Sequence, residues 1–340
     1  MKAVVYFGKH DARVSNFKEP PMGEDCVKIA VSYCGICGTD IHKFNGMGGS
    51  RPVIPPVVLG HEASGIVVDV GSKVTNFKVG DRVVADPNWS CGHCYYCKNG
   101  KTHLCENSRG VVKGFAEYIC PPESNVYKIP DSLSMEHAAL TEPLSCSIHG
   151  MDLAEVKTGD TVLIVGMGSI GSMMVELARI SGASNIIVVE PVKEKEPLAK
   201  KLGATLFIDP TTQNVNQVVK DAGIENVQHV IECVGLKNTI ENSFEYAGKG
   251  ATVVLFGLGD PNNPPVFNQY SAFQKELIIK TSFVNPHTTQ RAINLLSHDQ
   301  IHCDDIIVKI MEPEEVPKEL ATKTYFNKGK VLVRMSGKEN

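Results

Sequence analysis

The sequence predicts an α/β protein in which a doubly wound parallel sheet is joined to a β-rich domain. Short strand patterns broken by glycine and proline fill the first 150 residues, whereas apolar runs alternate with helical patterns from about residue 157. The later part contains six apolar runs, and six parallel strands make a complete doubly wound sheet. A chain of 340 residues is also longer than one typical domain, so two domains are expected.

The first part of the chain has the pattern of a β-rich domain with many loops. Its predicted strands are short, and turn-forming stretches such as residues 51–56 separate them. Near the end of the chain, residues 288–297 form an amphipathic helical pattern and residues 330–334 form a strand pattern. The strand patterns of the first part cover residues 3–7, 26–33, 65–70, 81–85 and 116–120.

The second part has the alternation of strands and helices that is typical of βαβ units. Its apolar runs are five to seven residues long, which suits strands that are buried on both faces of a parallel sheet. These runs cover residues 161–165, 185–190, 204–208, 228–233, 251–256 and 277–283. The order of elements therefore predicts a parallel sheet covered by helices.

A glycine-rich motif of the form GxGxxG follows the first apolar run. A strand pattern precedes it, a helical pattern follows it, and the acidic residue Glu190 ends the next run, 19 residues after Gly171. This context predicts a Rossmann dinucleotide site, although the glycines alone could also form an ordinary tight turn. Gly166 would permit the turn, Gly168 the approach of the pyrophosphate, and Gly171 close packing of helix on strand. The predicted cofactor contacts are Gly166, Gly168, Ser169, Ile170, Gly171 and Glu190.

Glu190 predicts NAD rather than NADP as the cofactor. A carboxylate at the end of the second strand hydrogen-bonds the ribose hydroxyls and repels a 2′-phosphate. Lys193 and Lys195 follow closely in the sequence and oppose this preference.

Four cysteines close together predict a structural zinc site. Cys91, Cys94 and Cys97 are each separated by two residues, and Cys105 follows after seven more. Thiolates at these spacings can surround one zinc ion as a tetrahedron. Four protein ligands leave no position for water or substrate, so this ion would stabilise a lobe at about residues 88–108. The reactive site is therefore expected elsewhere.

A second group of residues has side chains that can bind a metal ion. Cys34 and Cys37 form a CxxC pair, His61 and Glu62 are adjacent, and Glu142 precedes a proline. Taken singly, each has a structural explanation as a buried thiol or a satisfied polar group. In a chain that also has a zinc lobe and a dinucleotide motif, they point together to a second metal site.

These motifs together resemble the zinc-dependent medium-chain dehydrogenases of the alcohol dehydrogenase superfamily. The resemblance covers essentially the whole chain and includes Gly-His-Glu at 60–62, the cysteine lobe, Glu-Cys-Val-Gly at 232–235 and Lys-Gly-Lys-Val-Leu-Val at 328–333. Glu142 stands where classical alcohol dehydrogenases have a cysteine, so the chain looks like the polyol, or sorbitol, dehydrogenase branch. The implied domains are a GroES-like catalytic domain of residues 1–150 and 286–340, and a Rossmann NAD-binding domain of residues 151–285.

The resemblance also implies the ligands of a catalytic zinc. Cys37, His61 and Glu62 would hold this ion, and the family pattern assigns the sulfur ligand to Cys37 rather than Cys34. Glu142 would be either a fourth ligand or a hydrogen-bond partner of the zinc water. One sulfur, one imidazole and carboxylates make a more exchangeable set than four thiolates.

The remaining implied site residues serve proton transfer and cofactor binding. Thr39 and His42, two and five residues after the zinc cysteine, match the hydroxyl and imidazole relay of the family. Cys233 and Val234 match positions that contact the cofactor. A histidine titrates near neutral pH, so it can pass a proton to solvent.

The predicted reaction is hydride transfer from a secondary alcohol of a polyol or polyol phosphate to NAD, giving the ketose, with two zinc ions per chain. A 2,3-butanediol dehydrogenase and an L-threonine dehydrogenase are alternatives in the same family. A zinc-free quinone or enoyl reductase would lack Cys37, His61 and the cysteine lobe. The alternative from another class is a non-catalytic, zinc-braced redox sensor that binds NAD(H).

The composition favours a cytoplasmic protein with a small-molecule substrate. A net charge of -4 gives no basic field for nucleic acid, and no apolar run approaches the roughly 18 residues that span a bilayer. Eleven cysteines without a signal-peptide pattern suit a reducing compartment. The resemblance implies a homodimer or homotetramer.

The remaining cysteines Cys26, Cys120 and Cys303 are predicted to be small buried hydrophobic residues.

Overall fold

The computed structural model describes residues 1–49 and 51–335, and within them the chain forms two compact units. The first unit contains Met1–Ser145, Val284–Asp299 and the chain from Cys303 onward. The second contains Cys146–Phe283 and the short segment Gln300–His302. The units divide after Ser145, whereas the predicted boundary is residue 150. The division falls inside a continuous helix, Thr141–Ala154, so no turn or loop in the sequence marks it.

The first unit consists mainly of short strands. Before residue 130 the described strands are β1 Lys2–Gly8, β2 Asp11–Asn16, β3 Val27–Gly35, β4 Val57–Val58, β5 Glu62–Val70, β6 Arg82–Ala85, β7 Asn88–Trp89, β8 Arg109–Gly110, β9 Tyr118–Ile119 and β10 Val126–Lys128. Helices α1 Gly38–Phe44 and α2 Tyr95–Lys98 lie among these strands, and α3 Met135–Ala138 follows them. Helix α4 Thr141–Ala154 begins in the first unit and ends in the second. Strand β5 begins three residues earlier than predicted, because the buried polar residues Glu62 and Ser64 obscure its alternation.

The second unit alternates strands and helices as predicted. Its elements are β11 Thr161–Val165, α5 Ser169–Ile180, β12 Asn185–Val189, α6 Glu196–Leu202, β13 Leu206–Ile208, α7 Val215–Asp221, β14 His229–Glu232, α8 Lys237–Tyr246, β15 Thr252–Leu255, α9 Gln269–Lys275 and β16 Ile278–Thr281. The strands form one sheet in the order β13-β12-β11-β14-β15-β16, and all neighbours are parallel. This order reverses direction beside β11, so the predicted doubly wound Rossmann sheet is confirmed.

The central strands of this sheet are apolar because both of their faces are covered. Every residue of β11 is buried, and so are four of the five residues of β12. The edge strand β16 differs, since three of its four residues are exposed.

Among the helices of residues 1–49 and 51–335, none combines the length and the apolar composition of a membrane-spanning helix.

The last part of the chain returns to the first unit and completes its main sheet. Its elements are α10 Thr289–Ser297, α11 Cys303–Ile306, β17 Ile307–Met311, α12 Val316–Thr322 and β18 Lys330–Arg334. The main sheet has the order β10-β6-β5-β3-β18-β17, and β9 also pairs with β3. Two smaller sheets, β2-β1-β4 and β7-β8, complete the unit. The β-rich domain predicted from the sequence is confirmed.

One ladder of this sheet positions the candidate site. At the end of β3, Gly35 lies opposite Glu62 of β5 on one side and opposite Leu332 of β18 on the other. Three segments that are far apart in the sequence therefore meet where β3 ends and the chain continues to Cys37.

Candidate active site and metal centres

The four cysteines of the lobe lie on one short hairpin of the first unit. Strands β7 and β8 pair through Asn88 with Gly110 and Trp89 with Arg109, and the chain between them carries all four sulfurs. These sulfur atoms lie within 4.8 Å of one another. With a zinc–sulfur distance of about 2.3 Å, the sulfurs of a tetrahedral site are about 3.8 Å apart. The cluster can therefore hold one zinc ion.

Backbone amides lower the pKa of two cysteines of the lobe, Cys91 and Cys94, whereas burial raises the pKa of Cys97 to about 11. The amide of Cys94 donates to Cys91 Sγ at 3.4 Å, and the amide of Cys91 donates to Cys105 Sγ at 3.3 Å. A hydrogen bond from the amide of His93 lowers the pKa of Cys91 to about 5. Because the thiolate is the form that binds metal, the lobe is prepared electrostatically for a cation.

The second predicted ligand group also comes together in the first unit. Cys37 is the N-cap of helix α1, His61 directly precedes strand β5, and Glu62 is the first residue of that strand. One ligand atom from each of these residues lies within 4.8 Å of the other two. Cys34 is fully buried inside β3 and is not part of this group. Three protein ligands of mixed type leave a coordination position open, which is the arrangement of catalytic zinc sites.

Asp40 supports this group, and the sequence analysis missed it. Its side chain is fully buried, and it accepts hydrogen bonds from the amide of Cys37 at 3.0 Å and the amide of Gly60 at 3.1 Å. The same carboxylate also lies near His61, with 3.7 Å between Asp40 Oδ1 and His61 Nδ1. An acidic residue three positions after an N-cap is the signal that could have revealed this capping box.

Glu62 forms a buried ion pair with Lys330, which the sequence analysis also missed. Lys330 Nζ lies 2.7 Å from Glu62 Oε1 and 2.6 Å from Oε2, and the two side chains are 2% and 1% exposed. Lys330 also donates to the carbonyl oxygen of Ile36 at 3.1 Å. A side chain at Gly35 would collide with the Glu62 carboxylate, so this glycine provides the space for the pair. The pair holds Glu62 in one orientation beside Cys37 and His61.

Glu142 lies in the first turn of helix α4. Burial raises the pKa of its carboxyl group to about 7; the charge of His61 opposes this shift and the charge of Glu62 adds to it. Glu142 is thus within electrostatic range of the metal group, although it does not belong to the set of ligand atoms within 4.8 Å. Of the two carboxylates that the sequence left open as the resting ligand, Glu62 is the one inside the cluster.

The two predicted relay residues lie on the helix that begins at the cysteine ligand. Thr39 and His42 are both in helix α1, and a spacing of three residues brings their side chains to the same face. The amide of Thr39 donates to Cys37 Sγ at 3.5 Å. The helix therefore connects the sulfur ligand, the hydroxyl group and the imidazole through rigid backbone.

The glycines of the GxGxxG motif occupy the turn between β11 and α5 in the second unit. Gly166 has a φ of 94°, a conformation that L side chains rarely adopt. A Cβ atom at Gly171 would collide with the carbonyl oxygen of Gly166, whereas one at Gly168 would meet nothing within 4 Å. The turn thus leaves open space at Gly168, which is the N-cap of α5. Ser169 and Ile170 form the first turn of that helix, where backbone amides can receive a phosphate.

Glu190 follows β12 and is 5% exposed. Its carboxylate accepts hydrogen bonds from the amide of Met167 at 2.8 Å and the amide of Val192 at 3.0 Å. Lys195 Nζ is 3.3 Å from Oε2 of the same carboxylate. Glu190 is therefore held directly beside the glycine turn, and Lys195 partly neutralises its charge.

Cys233 and Val234 follow β14 on the opposite side of the same turn. A side chain at Gly166 would meet Val234 Cγ2 at 2.5 Å, so Val234 covers the glycine turn. The amide of Val234 donates to Glu232 Oε1 at 2.9 Å, which holds this loop in place. Burial raises the pKa of Cys233 well above its usual value, so this thiol is neutral at physiological pH.

Comparison with protein families agrees with this architecture. The alcohol dehydrogenase GroES-like domain matches residues 23–131, and the zinc-binding dehydrogenase family matches residues 169–298. The chain belongs to the zinc-dependent medium-chain dehydrogenases of the alcohol dehydrogenase superfamily, and it is an oxidoreductase. Within that family it is a polyol dehydrogenase-like protein, as the sequence predicted.

Several relatives with assigned names cover most of the chain. D-arabinitol dehydrogenase 1 of Uromyces fabae is 32% identical and covers 94% of this chain and 93% of its own length. Sorbitol dehydrogenase of Bacillus subtilis is 34% identical, with 87% and 86% covered. An L-threonine 3-dehydrogenase of Shewanella putrefaciens is 34% identical, with 77% and 78% covered. Identity at this level establishes the family and leaves more than one substrate class possible.

A solved structure from Sinorhizobium meliloti 1021, described as a zinc-binding dehydrogenase bound to NADP, has the same fold. It is 36% identical, it covers 98% of each chain, and its TM-score is 0.92. That protein is bound to NADP, whereas Glu190 predicts NAD for this chain. The comparison is relevant because the two folds match over almost their whole length.

Proposed function

We propose that this chain is an NAD-dependent polyol dehydrogenase that oxidises a secondary alcohol with a zinc ion held by Cys37, His61 and Glu62. The observation that carries the proposal is the convergence of a sulfur, an imidazole nitrogen and a carboxylate oxygen within 4.8 Å in one compact unit. These donors are the types that zinc prefers, and their number leaves a position for substrate oxygen. A second zinc ion would occupy the cysteine lobe.

The protein residues around this site have separate tasks. Bound zinc would act as a Lewis acid that lowers the pKa of an alcohol, as it lowers that of water from about 15.7 to about 7. Asp40 orients His61 and the backbone of Cys37, and Lys330 orients Glu62. Such supporting contacts determine ligand orientation and basicity.

The proton released by the alcohol would leave through Thr39 and His42. The hydroxyl of Thr39 can accept and donate a proton, and His42, one helical turn further along α1, can transfer it to solvent. His42→Ala is expected to lower kcat and to change its pH profile. Unchanged activity with an unchanged profile would show that the proton leaves by another route.

The cofactor is proposed to be NAD, and Glu190 is the residue that supports this choice. Its buried carboxylate beside the glycine turn would repel a 2′-phosphate. Lys195 weakens that repulsion through its contact at 3.3 Å. Lys195→Ala should therefore increase the ratio of kcat/KM with NAD to kcat/KM with NADP, while Lys200→Ala, a substitution on the exposed face of helix α6, should leave the ratio unchanged. A preference of the unmodified protein for NADP would refute the assignment.

An L-threonine or 2,3-butanediol dehydrogenase is the second candidate, and the threonine dehydrogenase relative favours it. The decisive experiment measures NAD reduction with polyols, polyol phosphates, 2,3-butanediol and L-threonine, with the variant His61→Ala as the inactive control. The proposal expects the highest kcat/KM with a polyol or its phosphate. A higher value with threonine or butanediol would support the second candidate, and binding of two zinc ions without any turnover would support the redox sensor.

A second copy of the chain is the proposed protein partner, as the family resemblance implies. Within the described residues, β16 pairs only with β15, so its other edge is open. The adjacent apolar side chains of Tyr270, Phe273 and Ile278 are 66%, 75% and 50% exposed. Strand edges and apolar surface of this kind favour association. Light scattering should give a multiple of the chain mass of 36.9 kDa, and Phe273→Glu should reduce it.

A further inference from the structure

In the first unit, the sulfur of Cys120 interacts with two other sulfur-containing side chains outside both zinc sites. Cys120 Sγ lies 3.3 Å from Met22 Sδ, and the side chains of Cys26 and Cys120 interact with each other. Cys303 is buried as predicted, but the prediction of burial was wrong for Cys26 and Cys120, which are both partly exposed. The two thiols lie at the surface because Cys26 precedes β3 and Cys120 follows the short strand β9.

The loop before β3 is shaped around these sulfurs. The amide of Cys26 donates to the carbonyl oxygen of Gly23 at 3.2 Å, which folds the loop into a turn. A Cβ atom at Gly23 would lie 2.7 Å from Cys26 Sγ, closer than side-chain atoms approach. Gly23 does not have a positive φ, so glycine is not required there for the backbone conformation. It is required because a side chain would collide with Cys26 Sγ. The turn thereby folds Cys26 back onto Gly23, the residue that follows Met22.

The strand register argues against a direct disulfide between the two cysteines. Ile29 lies opposite Ile119, and Cys26 lies opposite Pro122, so Cys26 and Cys120 occupy diagonal positions on neighbouring strands. The Cα atoms of diagonal neighbours are about 7 Å apart, whereas those of a disulfide are usually about 5.5 to 6 Å apart. Sulfurs that approach from diagonal positions are better placed to share a third atom.

We propose that Met22, Cys26 and Cys120 form a binding site for a soft monovalent cation, of which Cu⁺ is the biological example. Thiolate and thioether sulfurs are soft ligands that select such ions. If the metal–sulfur distance is about 2.3 Å, as for zinc thiolates, the sulfurs of a trigonal site are about 4 Å apart. That separation is close to the 3.3 Å between Cys120 Sγ and Met22 Sδ, and it suits the interaction between the thiols of Cys26 and Cys120.

Binding of the cation displaces thiol protons. Burial raises the pKa of Cys26, and it raises the pKa of Cys120 to about 11. Both groups are therefore neutral thiols in the metal-free site, and a cation must replace their protons. Neutral thiols also oxidise slowly, because the thiolate is the reactive form.

The test uses the full-length protein with both zinc sites loaded, kept under anaerobic conditions. Cu⁺ is supplied as its bicinchoninate complex, and copper and zinc per chain are measured by elemental analysis after desalting. The unmodified protein should retain about one more copper than the variant C26S/C120S, with equal zinc in both. Met22→Leu, which conserves volume, should weaken copper binding about tenfold or more. Cys303→Ala, a buried cysteine outside the cluster, should retain copper normally.

Three results would overturn the proposal. The first is equal copper retention by the unmodified protein and C26S/C120S, and the second is copper uptake matched by an equal loss of zinc. The third is a peptide, found by mass spectrometry after anaerobic purification, in which Cys26 and Cys120 are joined by a disulfide. If the double variant does not fold, Met22→Leu carries the test, and unchanged copper affinity in that variant refutes the site.

Discussion

The two candidate zinc sites of the first unit are assembled in different ways. The lobe takes all four cysteines from the segment 91–105, on a single hairpin. The other site takes Cys37, His61 and Glu62 from separate elements, and Lys330 is 268 residues from the glutamate that it contacts. A local site depends on the spacing of its own residues, whereas a dispersed site depends on the sheet that brings its parts together.

The two sites also differ in the charges around them. In the lobe, neutral backbone amides donate hydrogen bonds to the sulfurs of Cys91 and Cys105. The dispersed site is surrounded by charged side chains that are fully buried, Asp40 and Lys330. Buried charges are costly unless they are paired, so each is tied to a particular partner. Substitutions of residues around the dispersed site should therefore change stability and zinc affinity more than substitutions around the lobe.

The largest expected effect separates the two sites by activity. His61→Ala removes a ligand of the dispersed site and should lower kcat/KM about a thousandfold or more, since a metal contributes several kcal/mol to such a transition state. His93→Ala, in the lobe but not among its ligands, is the matched control and should stay within about threefold of the unmodified protein. Elemental analysis should find one zinc ion fewer only in His61→Ala. Equal activity of the two variants would remove the distinction between the sites.

The second effect concerns the buried pair of the dispersed site. In the zinc-free protein, Lys330→Met leaves Glu62 as an unpaired buried charge and should lower the free energy of unfolding by about 3 to 5 kcal/mol. Lys328→Met, an exposed position two residues away, should have little effect. Denaturant unfolding measures both. The double variant E62Q/K330M should recover part of the lost free energy of unfolding, because it no longer contains the unpaired charge of Glu62. Strict additivity of the two single changes would argue against the pair.

The third effect concerns the support of the ligands. Asp40→Asn should weaken zinc binding at the dispersed site about 10-fold to 100-fold, because the carboxylate no longer holds His61 and the amide of Cys37 together. Competition with a zinc chelator measures the affinity. Asp69→Asn, an exposed residue of the same strand as Glu62, serves as the control. Equal affinities in the two variants would show that Asp40 only caps its helix.

The smallest effect is expected in the surroundings of the lobe. Asn107 donates from Nδ2 to Cys91 Sγ at 3.6 Å, a long hydrogen bond at an exposed position. Asn107→Ala should change the free energy of unfolding by about 1 kcal/mol or less. A loss as large as that of Lys330→Met would mean that the lobe depends on its surroundings as strongly as the dispersed site does.

Much of the second unit could be predicted from the sequence because its signals are local. Apolar runs of strand length, the glycine motif and the acid after the next strand all follow from contacts between near neighbours in the chain. The bounds of the strands were less certain; β13, for example, begins at Leu206 rather than at residue 204. Strand ends depend on pairing with neighbours, which a single segment does not encode.

In the first unit, the sequence alone determined the cysteine lobe, since four thiols at short spacings can reach one ion whatever the rest of the chain does. It also predicted the types of ligand for a second metal site. Only the tertiary structure decided that Glu62 rather than Glu142 lies inside that cluster, and that Asp40 and Lys330 support it. The reason is the ladder between β5, β3 and β18, whose register places Glu62 beside the start of β18. A register between distant strands is set by packing and hydrogen bonds of the whole sheet, so no local pattern contains it.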